Sequence, residues 1–165
     1  MKIHGRTFSG PDVVPVVIPR SDGDVVFMCQ AVLTFDDFEA LCPVPEPPQI
    51  LKPGNVRSSD PSDSKYLEAL DAWGLKRTNW MILKSLEATD GLEWEQINMS
   101  DPETWDKFRT ELSDCGFTIG EIGRLVQGVT EACGLNQERI DEATQRFLAV
   151  RAAERDEESS QNTAP

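Results

Sequence analysis

The chain has 165 residues and carries 29 acidic against 16 basic side chains, which gives a formal net charge of -13 at pH 7. An acidic surface repels the phosphates of DNA and RNA, so the charge argues against direct nucleic-acid binding. No apolar run reaches the roughly 18 residues of a membrane span, and residues 1–5 lack the apolar core of a signal peptide. We therefore expect a cytoplasmic protein without a membrane segment, built around one main domain.

The first third of the sequence is strand-like. Residues 1–8, 13–18 and 25–33 are rich in Val, Ile and Phe and are separated by Gly or Pro, a composition typical of a small antiparallel sheet. The turn sequence Ser21-Asp22-Gly23-Asp24 predicts that the second and third runs form a hairpin. Pro15 and Pro19 lack an amide donor, which places Val13 to Arg20 at a sheet edge. That edge is either a docking site or simply blunted by proline.

A short helix is predicted next, ending near Leu41, because Phe35, Phe38 and Leu41 share one helix face. Residues 43–59 then contain five prolines, a density that predicts an extended connector without regular structure. This connector is the one candidate domain boundary. The sequence therefore predicts a small β-rich region at 1–42 and a helical domain at 60–150.

The segment 60–86 is predicted to be the longest helix, beginning at Asp60-Pro61. At about 100° per residue, its apolar side chains fall on two opposite faces. Such a helix is either covered on both sides within its own domain or keeps one face open for a partner, and both alternatives stand. The candidate partner-binding residues are Tyr66, Trp73 and Trp80 on one face and Leu75, Ile82 and Leu86 on the other.

Residues 100–148 carry start and stop signals for three further helices. Ser100 is a candidate N-cap for the first, Thr118 with Glu121 forms a capping box for the second, and Asn136 starts the third. Gly116 and Gly134 end the first two helices.

The second of these helices contains Gly120, Gly123 and Gly128 away from its apolar stripe. They indicate either close approach by another backbone or a tolerated weak helix. Residues 151–165 have too few apolar side chains to offset the entropy of ordering, so we expect a disordered tail. The predicted fold class is therefore α+β, with a small N-terminal antiparallel β-sheet, a mainly α-helical body and a disordered acidic C-terminal tail.

The sequence offers little that could carry a reaction. His4 is the only histidine, and no Ser, Cys or acidic residue near it is spaced for a catalytic relay. Phosphate loops, dinucleotide-binding glycine motifs and zinc-protease motifs are missing. Cys29, Cys42, Cys115 and Cys133 form no C-x-x-C pair, which favours free thiols over a disulfide or zinc site. We therefore expect no catalytic residues, no cofactor and no metal.

Five short stretches follow the predicted sheet in a characteristic order: Pro48–Gly54, Trp80–Leu86, Leu92–Glu95, Asp101–Trp105 and Cys115–Phe117. In this layout the chain resembles a tail assembly chaperone of a tailed bacteriophage or prophage. The resemblance implies a non-enzymatic protein of the host cytoplasm, absent from the mature virion. Such a protein binds the long helical tape measure protein, keeps it soluble and helps to recruit tail tube protein. Self-association and a frameshift-extended form also belong to this expectation.

Two other functions stay open at this point. A structural virion protein of the tail or neck would suit the edge-like strand at residues 13–20. An acidic inhibitor or mimic, occupying the nucleic-acid site of another protein, would suit the net charge of -13.

Overall fold

The computed structural model describes residues 2–3, 5–7, 10–53, 56–134 and 137–161. The chain divides into two compact units, Met1–Cys133 and Gly134–Pro165. Within the described residues, the first unit contains three β-hairpins and four α-helices, and the second contains one long helix. The predicted α+β class, with small antiparallel sheets followed by a mainly helical body, is confirmed.

The described strands form three separate two-stranded sheets rather than one. Strand β1 (Lys2–Ile3) pairs antiparallel with strand β2 (Arg6–Thr7). The turn between them contains Gly5 with a φ of 78°, a left-handed conformation that glycine adopts without a steric penalty. The continuous strand expected over 1–8 is therefore divided at Gly5.

Strand β3 (Val13–Ile18) and strand β4 (Val25–Gln30) form the hairpin predicted from the turn sequence. The amide of Ala31 donates to the carbonyl of Asp12 at 2.8 Å. Directly opposite residues bond at every second position of an antiparallel ladder, so the backbone of Pro15 points away from β4. The prediction that proline places this strand at a sheet edge is confirmed.

The expectation that residues 43–59 lack regular structure is wrong. Strand β5 (Gln49–Lys52) pairs antiparallel with strand β6 (Val56–Ser59). The five prolines of this region all lie outside the two strands, so none removes a donor from the ladder. The division between compact units lies at Cys133–Gly134, so the β3–β4 hairpin and the four α-helices that follow it up to Ala132 belong to one unit.

Helix α1 (Asp36–Leu41) ends at the predicted residue. Its Phe38 is fully buried, and the Phe38 ring centroid lies 5.5 Å from Trp73, 5.9 Å from Trp80 and 5.9 Å from Trp105. Aromatic rings at these separations stabilise each other beyond the area they bury. This tryptophan cluster brings together side chains that are distant in the sequence.

Helix α2 (Ser64–Leu86) begins later than predicted, because Asp63 is its N-cap and accepts a hydrogen bond from the Tyr66 amide at 2.9 Å. The first two thirds of the helix contain no buried residue, whereas its last two turns are covered on both faces. The predicted alternative of a helix sandwiched within its own domain therefore holds for its C-terminal end. The buried residues are Asn79, Trp80, Ile82, Leu83, Ser85 and Leu86.

A short 3-10 helix (Trp105–Lys107) leads into helix α3 (Phe108–Asp114). The predicted cap at Ser100 is replaced by a turn in which the Asp101 carboxylate accepts a hydrogen bond from the Glu103 amide at 3.1 Å. The helix therefore begins several residues later than the sequence indicates.

Helix α4 (Ile119–Ala132) has the predicted capping box. The Thr118 hydroxyl accepts from the Glu121 amide at 3.3 Å, and the Glu121 carboxylate accepts from the Thr118 amide at 2.8 Å. Arg20 also donates to this carboxylate at 3.2 Å, which ties the end of strand β3 to the start of the helix. The Thr118 amide, then the Thr118 hydroxyl, and to a lesser extent Arg20, lower the pKa of Glu121.

Helix α5 (Gln137–Gln161) belongs to the second unit. Its predicted start at Asn136 lies outside the described residues. The helix continues past Arg151 to Gln161, over most of the segment that the sequence predicts to be disordered. Each side chain described between 137 and 151 is exposed, so burial of these side chains does not stabilise this part of the helix.

The core of the first unit lies between the β3–β4 hairpin and helices α2 and α4. Strands β3 and β4 direct alternate side chains inward, and helices α2 and α4 cover them. The interpretation of tryptophan as core residues is confirmed for Trp80 and Trp105. The buried apolar side chains are Ile18, Phe27, Cys29, Phe38, Trp80, Ile82, Leu83, Leu86, Trp105, Phe108, Leu112, Ile122, Leu125, Val129 and Ala132.

The three glycines of helix α4 differ in their surroundings. A Cβ at Gly128 would overlap the Val16 Cγ2 atom and lie 3.3 Å from the Cys29 Sγ atom. Open space surrounds Gly120 and Gly123. Close approach therefore explains Gly128 alone, and the approaching atoms belong to strand side chains rather than to a backbone.

Substitution of these glycines should have opposite effects on stability. Gly128→Ala should lower the free energy of unfolding by about 1–3 kcal/mol, because the added methyl group overpacks the contact with Val16. Gly123→Ala is the matched control and should raise it by about 0.5–1 kcal/mol through helix propensity. Urea denaturation of both variants measures the difference. Equal effects would show that helix α4 does not approach strand β3 as closely as described.

Because the pKa of Glu121 is lowered in the folded protein, the free energy of unfolding should depend on pH in the acidic range. A carboxyl whose pKa is lower in the folded than in the unfolded state stabilises the fold above the unfolded pKa, and this contribution is lost as the pH falls through the folded pKa. We expect Thr118→Val, which keeps the amide but loses the hydroxyl, to move the Glu121 pKa part of the way back towards its ordinary value of 4.5.

NMR titration of the Glu121 side chain measures this shift. Between neutral and acidic pH, the free energy of unfolding should fall less for Glu121→Gln than for the wild type. Denaturation at the two pH values measures this difference. Glu68→Gln on the exposed face of helix α2 serves as the control. An ordinary Glu121 pKa in the wild-type protein would contradict the capping geometry.

Candidate functional site

The structure takes three of the six candidate partner-binding residues out of reach. Trp80 is 3% exposed, and Ile82 and Leu86 are fully buried. They are covered by this chain's own atoms, within the core described above. A partner cannot contact them while the fold is intact, so recognition through this part of helix α2 is not available.

The other three candidates lie nearer the surface but do not form one face. Tyr66 and Trp73 are half-buried, and the Trp73 Nε1 group donates to the carbonyl of Cys42 at 2.9 Å. Leu75 is 61% exposed beside the ion pair of Lys76 with Glu103. Leu75 is thus the one candidate with a freely accessible apolar side chain.

A larger apolar surface lies on the outer face of the β3–β4 hairpin. The outward-facing side chains of a half-covered antiparallel sheet are ordinarily polar, but here Val17 opposite Val26 and Pro15 opposite Met28 are apolar. Val17 is 48% and Val26 is 44% exposed. The absence of polar alternation in both strands is the sequence signal for this surface. We define the hairpin patch as Val13, Pro15, Val17, Val26 and Met28.

The two edges of the hairpin are less available than its outer face. The Thr89 hydroxyl accepts from the Met28 amide at 2.8 Å and lies 3.3 Å from the Met28 carbonyl, to which it donates. Both outward-pointing backbone groups of Met28 are therefore satisfied at the edge of β4. At the edge of β3, Pro15 offers no amide. The geometry favours a partner that lies on the outer face over one that adds a strand.

A pocket of about 300 Å³ adjoins this patch. It lies between strand β4 and the segment 89–94, and Val26 belongs to both the pocket and the hairpin patch. We call it the Trp94 pocket. Its apolar walls are formed by Val25, Phe27, Leu92, Trp94, Leu112 and Phe117.

Glu111 holds one wall of the Trp94 pocket in place. Its carboxylate is 8% exposed and accepts hydrogen bonds from the Glu95 amide at 2.6 Å and from the Gln96 amide at 3.1 Å. A buried carboxylate needs such donors, because burial without them carries a large desolvation cost. Glu111 therefore positions the backbone that carries Trp94. No local sequence signal marks this role.

The four cysteines are free, as predicted, although Cys115 is exposed. Burial, with smaller contributions from Cys133 and Glu131, raises the pKa of Cys29 to about 11. The Cys29 thiol is therefore protonated at neutral pH and packs as a small apolar group.

Three further expectations from the sequence concern His4, metal binding and membrane-spanning helices. His4 lies outside the described residues. In the part of the chain that the structure describes, no three His, Cys, Asp or Glu side chains cluster as metal ligands would. None of the described helices combines the length and apolar character needed to cross a bilayer.

No family model, curated protein or solved structure matches this chain. The functional interpretation therefore depends on the surfaces described above and on the resemblance in sequence layout.

Removal of the Glu111 carboxylate should loosen the Trp94 segment. Glu111→Ala should lower the free energy of unfolding by about 1–3 kcal/mol, because the amides of Glu95 and Gln96 lose a charged acceptor. The amides of Glu95 and Gln96 should then exchange with solvent faster than in the wild type. Glu111→Gln retains one carbonyl acceptor and should protect one of the two amides. Unchanged exchange of both amides in Glu111→Ala would show that the loop is held by other contacts.

Proposed function

We propose that this chain is a non-enzymatic phage tail assembly chaperone. It binds the tape measure protein in the host cytoplasm, assists assembly of the tail tube and is absent from the mature virion. The observation that supports this proposal is the hairpin patch, an apolar surface left open on a chain whose net charge is -13.

An open apolar face is costly to a protein that acts alone. Exposed apolar patches on soluble proteins mark interaction sites, because water leaves them when a partner binds. A long helical client that is not yet assembled exposes apolar stripes of its own. The hairpin patch covers such a stripe, and the strong negative charge keeps the complex dispersed in solution.

The resemblance in sequence layout supports the same proposal. Of the stretches that carry it, Leu92–Glu95 and Cys115–Phe117 both contribute walls of the Trp94 pocket. Trp80–Leu86 supplies core residues of helix α2, and Asp101–Trp105 forms the turn before helix α3. Four of the five stretches thus lie in the core, in the surface that adjoins the hairpin patch or in the turn before helix α3, and Pro48–Gly54 contains strand β5.

The proposal predicts that binding depends on the hairpin patch. Val17→Lys with Val26→Glu replaces an exposed cross-strand pair by opposite charges, so the hairpin should keep its stability to within about 0.5 kcal/mol. Co-expression with the long helical product of the neighbouring gene should give soluble, co-purifying client with the wild type and much less with this variant. Leu33→Lys with Ile119→Glu is the matched control, since these residues are 76% and 89% exposed elsewhere.

Two results would contradict the proposal. The first is a client that is equally soluble without the wild-type chain and never co-purifies with it. The second is stoichiometric presence of this chain in purified virions, detected by mass spectrometry, which would favour a structural component of the tail or neck.

A further inference from the structure

The Trp94 pocket combines apolar walls with an acidic rim. Asp90 and Glu93 are exposed at its mouth, and among the described residues that line it there is no Lys or Arg. Both carboxylate oxygens of Glu111 already accept amides of the adjoining segment. The charges left at the surface for a partner are therefore those of Asp90 and Glu93.

Arg20, a basic group beside the pocket, does not offset this rim. Arg20 lies with its guanidinium 4.6 Å from the centre of the Phe117 ring, at the side of the pocket. The same guanidinium donates to Glu121 at 3.2 Å, so its charge is balanced by the helix cap. The mouth of the pocket thus keeps an uncompensated negative potential.

We propose that the Trp94 pocket is the anchor site for an apolar side chain that is flanked by Lys or Arg on the partner protein. This inference rests on the proposed function and names the part of the client that is recognised. A volume of about 300 Å³ is at the small end of the range for ligand pockets and suits one bulky side chain. Buried apolar anchors contribute most of the affinity at such sites.

Charge complementarity selects the occupant. Basic residues one helical turn before and after the anchor would face Asp90 and Glu93, and complementary charges raise the association rate and exclude like-charged partners. A second copy of this chain, with its net charge of -13, is repelled by the same rim. The hairpin patch continues the apolar surface from Val26, so an anchored helix would lie along it.

Two designed helical peptides test the inference on the full-length protein. Both carry one Leu anchor, flanked by Lys in one peptide and by Glu in the other, and binding is measured by fluorescence anisotropy at about 150 mM salt, where charges further apart than about 8 Å are largely screened. We expect the Lys-flanked peptide to bind, with a dissociation constant at least about tenfold lower than that of the Glu-flanked peptide. Replacement of its Leu anchor by Ala should abolish binding.

Charge-reversed variants locate the site. Asp90→Lys with Glu93→Lys should lower the affinity for the Lys-flanked peptide by about tenfold or more and raise the affinity for the Glu-flanked peptide. Glu68→Lys with Asp71→Lys changes the net charge equally on the exposed face of helix α2 and should leave both affinities nearly unchanged. If the double variant does not fold, the comparison is repeated with the single variants Glu93→Lys and Glu68→Lys.

Equal effects of the two double variants would overturn the inference, because net charge alone would then attract the peptide. Equal binding of both peptides would also overturn it. The proposed function is tested separately. If the client co-purifies with the Asp90→Lys/Glu93→Lys variant as it does with the wild type, the anchor site is wrong and the chaperone proposal stands. If the client never co-purifies with the wild type, the chaperone proposal fails, and the peptides still decide the chemistry of the pocket.

Discussion

The close approach of helix α4 to the β3–β4 hairpin depends on glycine at position 128. A Cβ at this position would overlap the Val16 Cγ2 atom, so either the Val16 side chain or the helix would have to shift. With the helix in place, Cys29 is fully buried and donates weakly to the Leu125 carbonyl at 4.0 Å. The inner face of the hairpin is filled by helices α2 and α4, and among the described residues of the first unit no element covers its outer face.

This one-sided packing explains why the protein presents an apolar surface. Except for Gln30 at the end of β4, both strands are apolar on both faces, and one layer of helices covers one face. The Trp94 pocket extends the uncovered side at Val26, with its wall held by the buried Glu111 carboxylate. Alternate side chains of strand β4 face the core and the exposed surface, so this one strand contributes to both.

Local signals in the sequence were sufficient for the elements that local contacts determine. The turn sequence predicted the β3–β4 hairpin, Thr118 and Glu121 predicted the capping box, and Pro15 predicted the strand edge. The proline content of residues 43–59 does not reveal the β5–β6 hairpin, because none of the five prolines lies in a strand.

The candidate site depends on long-range contacts, which the spacing of apolar residues in the sequence does not reveal. Periodicity shows the two apolar faces of helix α2, but how much of each face is covered depends on residues as distant as Phe38 and Trp105. Glu111 gave no signal, because the amides it binds lie in an irregular segment. The hairpin patch could have been found from the missing polar alternation in strands β3 and β4.

Thr89 limits how the exposed apolar hairpin can associate with other chains. Apolar strands in contact with water tend to recruit further strands at their borders and grow into ribbons and fibrils. The Thr89 hydroxyl occupies one border at Met28, and the pyrrolidine ring of Pro15 interrupts the other. Strand addition is therefore hindered at Met28 and at Pro15, and the broad side of the hairpin is where Val17 and Val26 remain exposed to solvent.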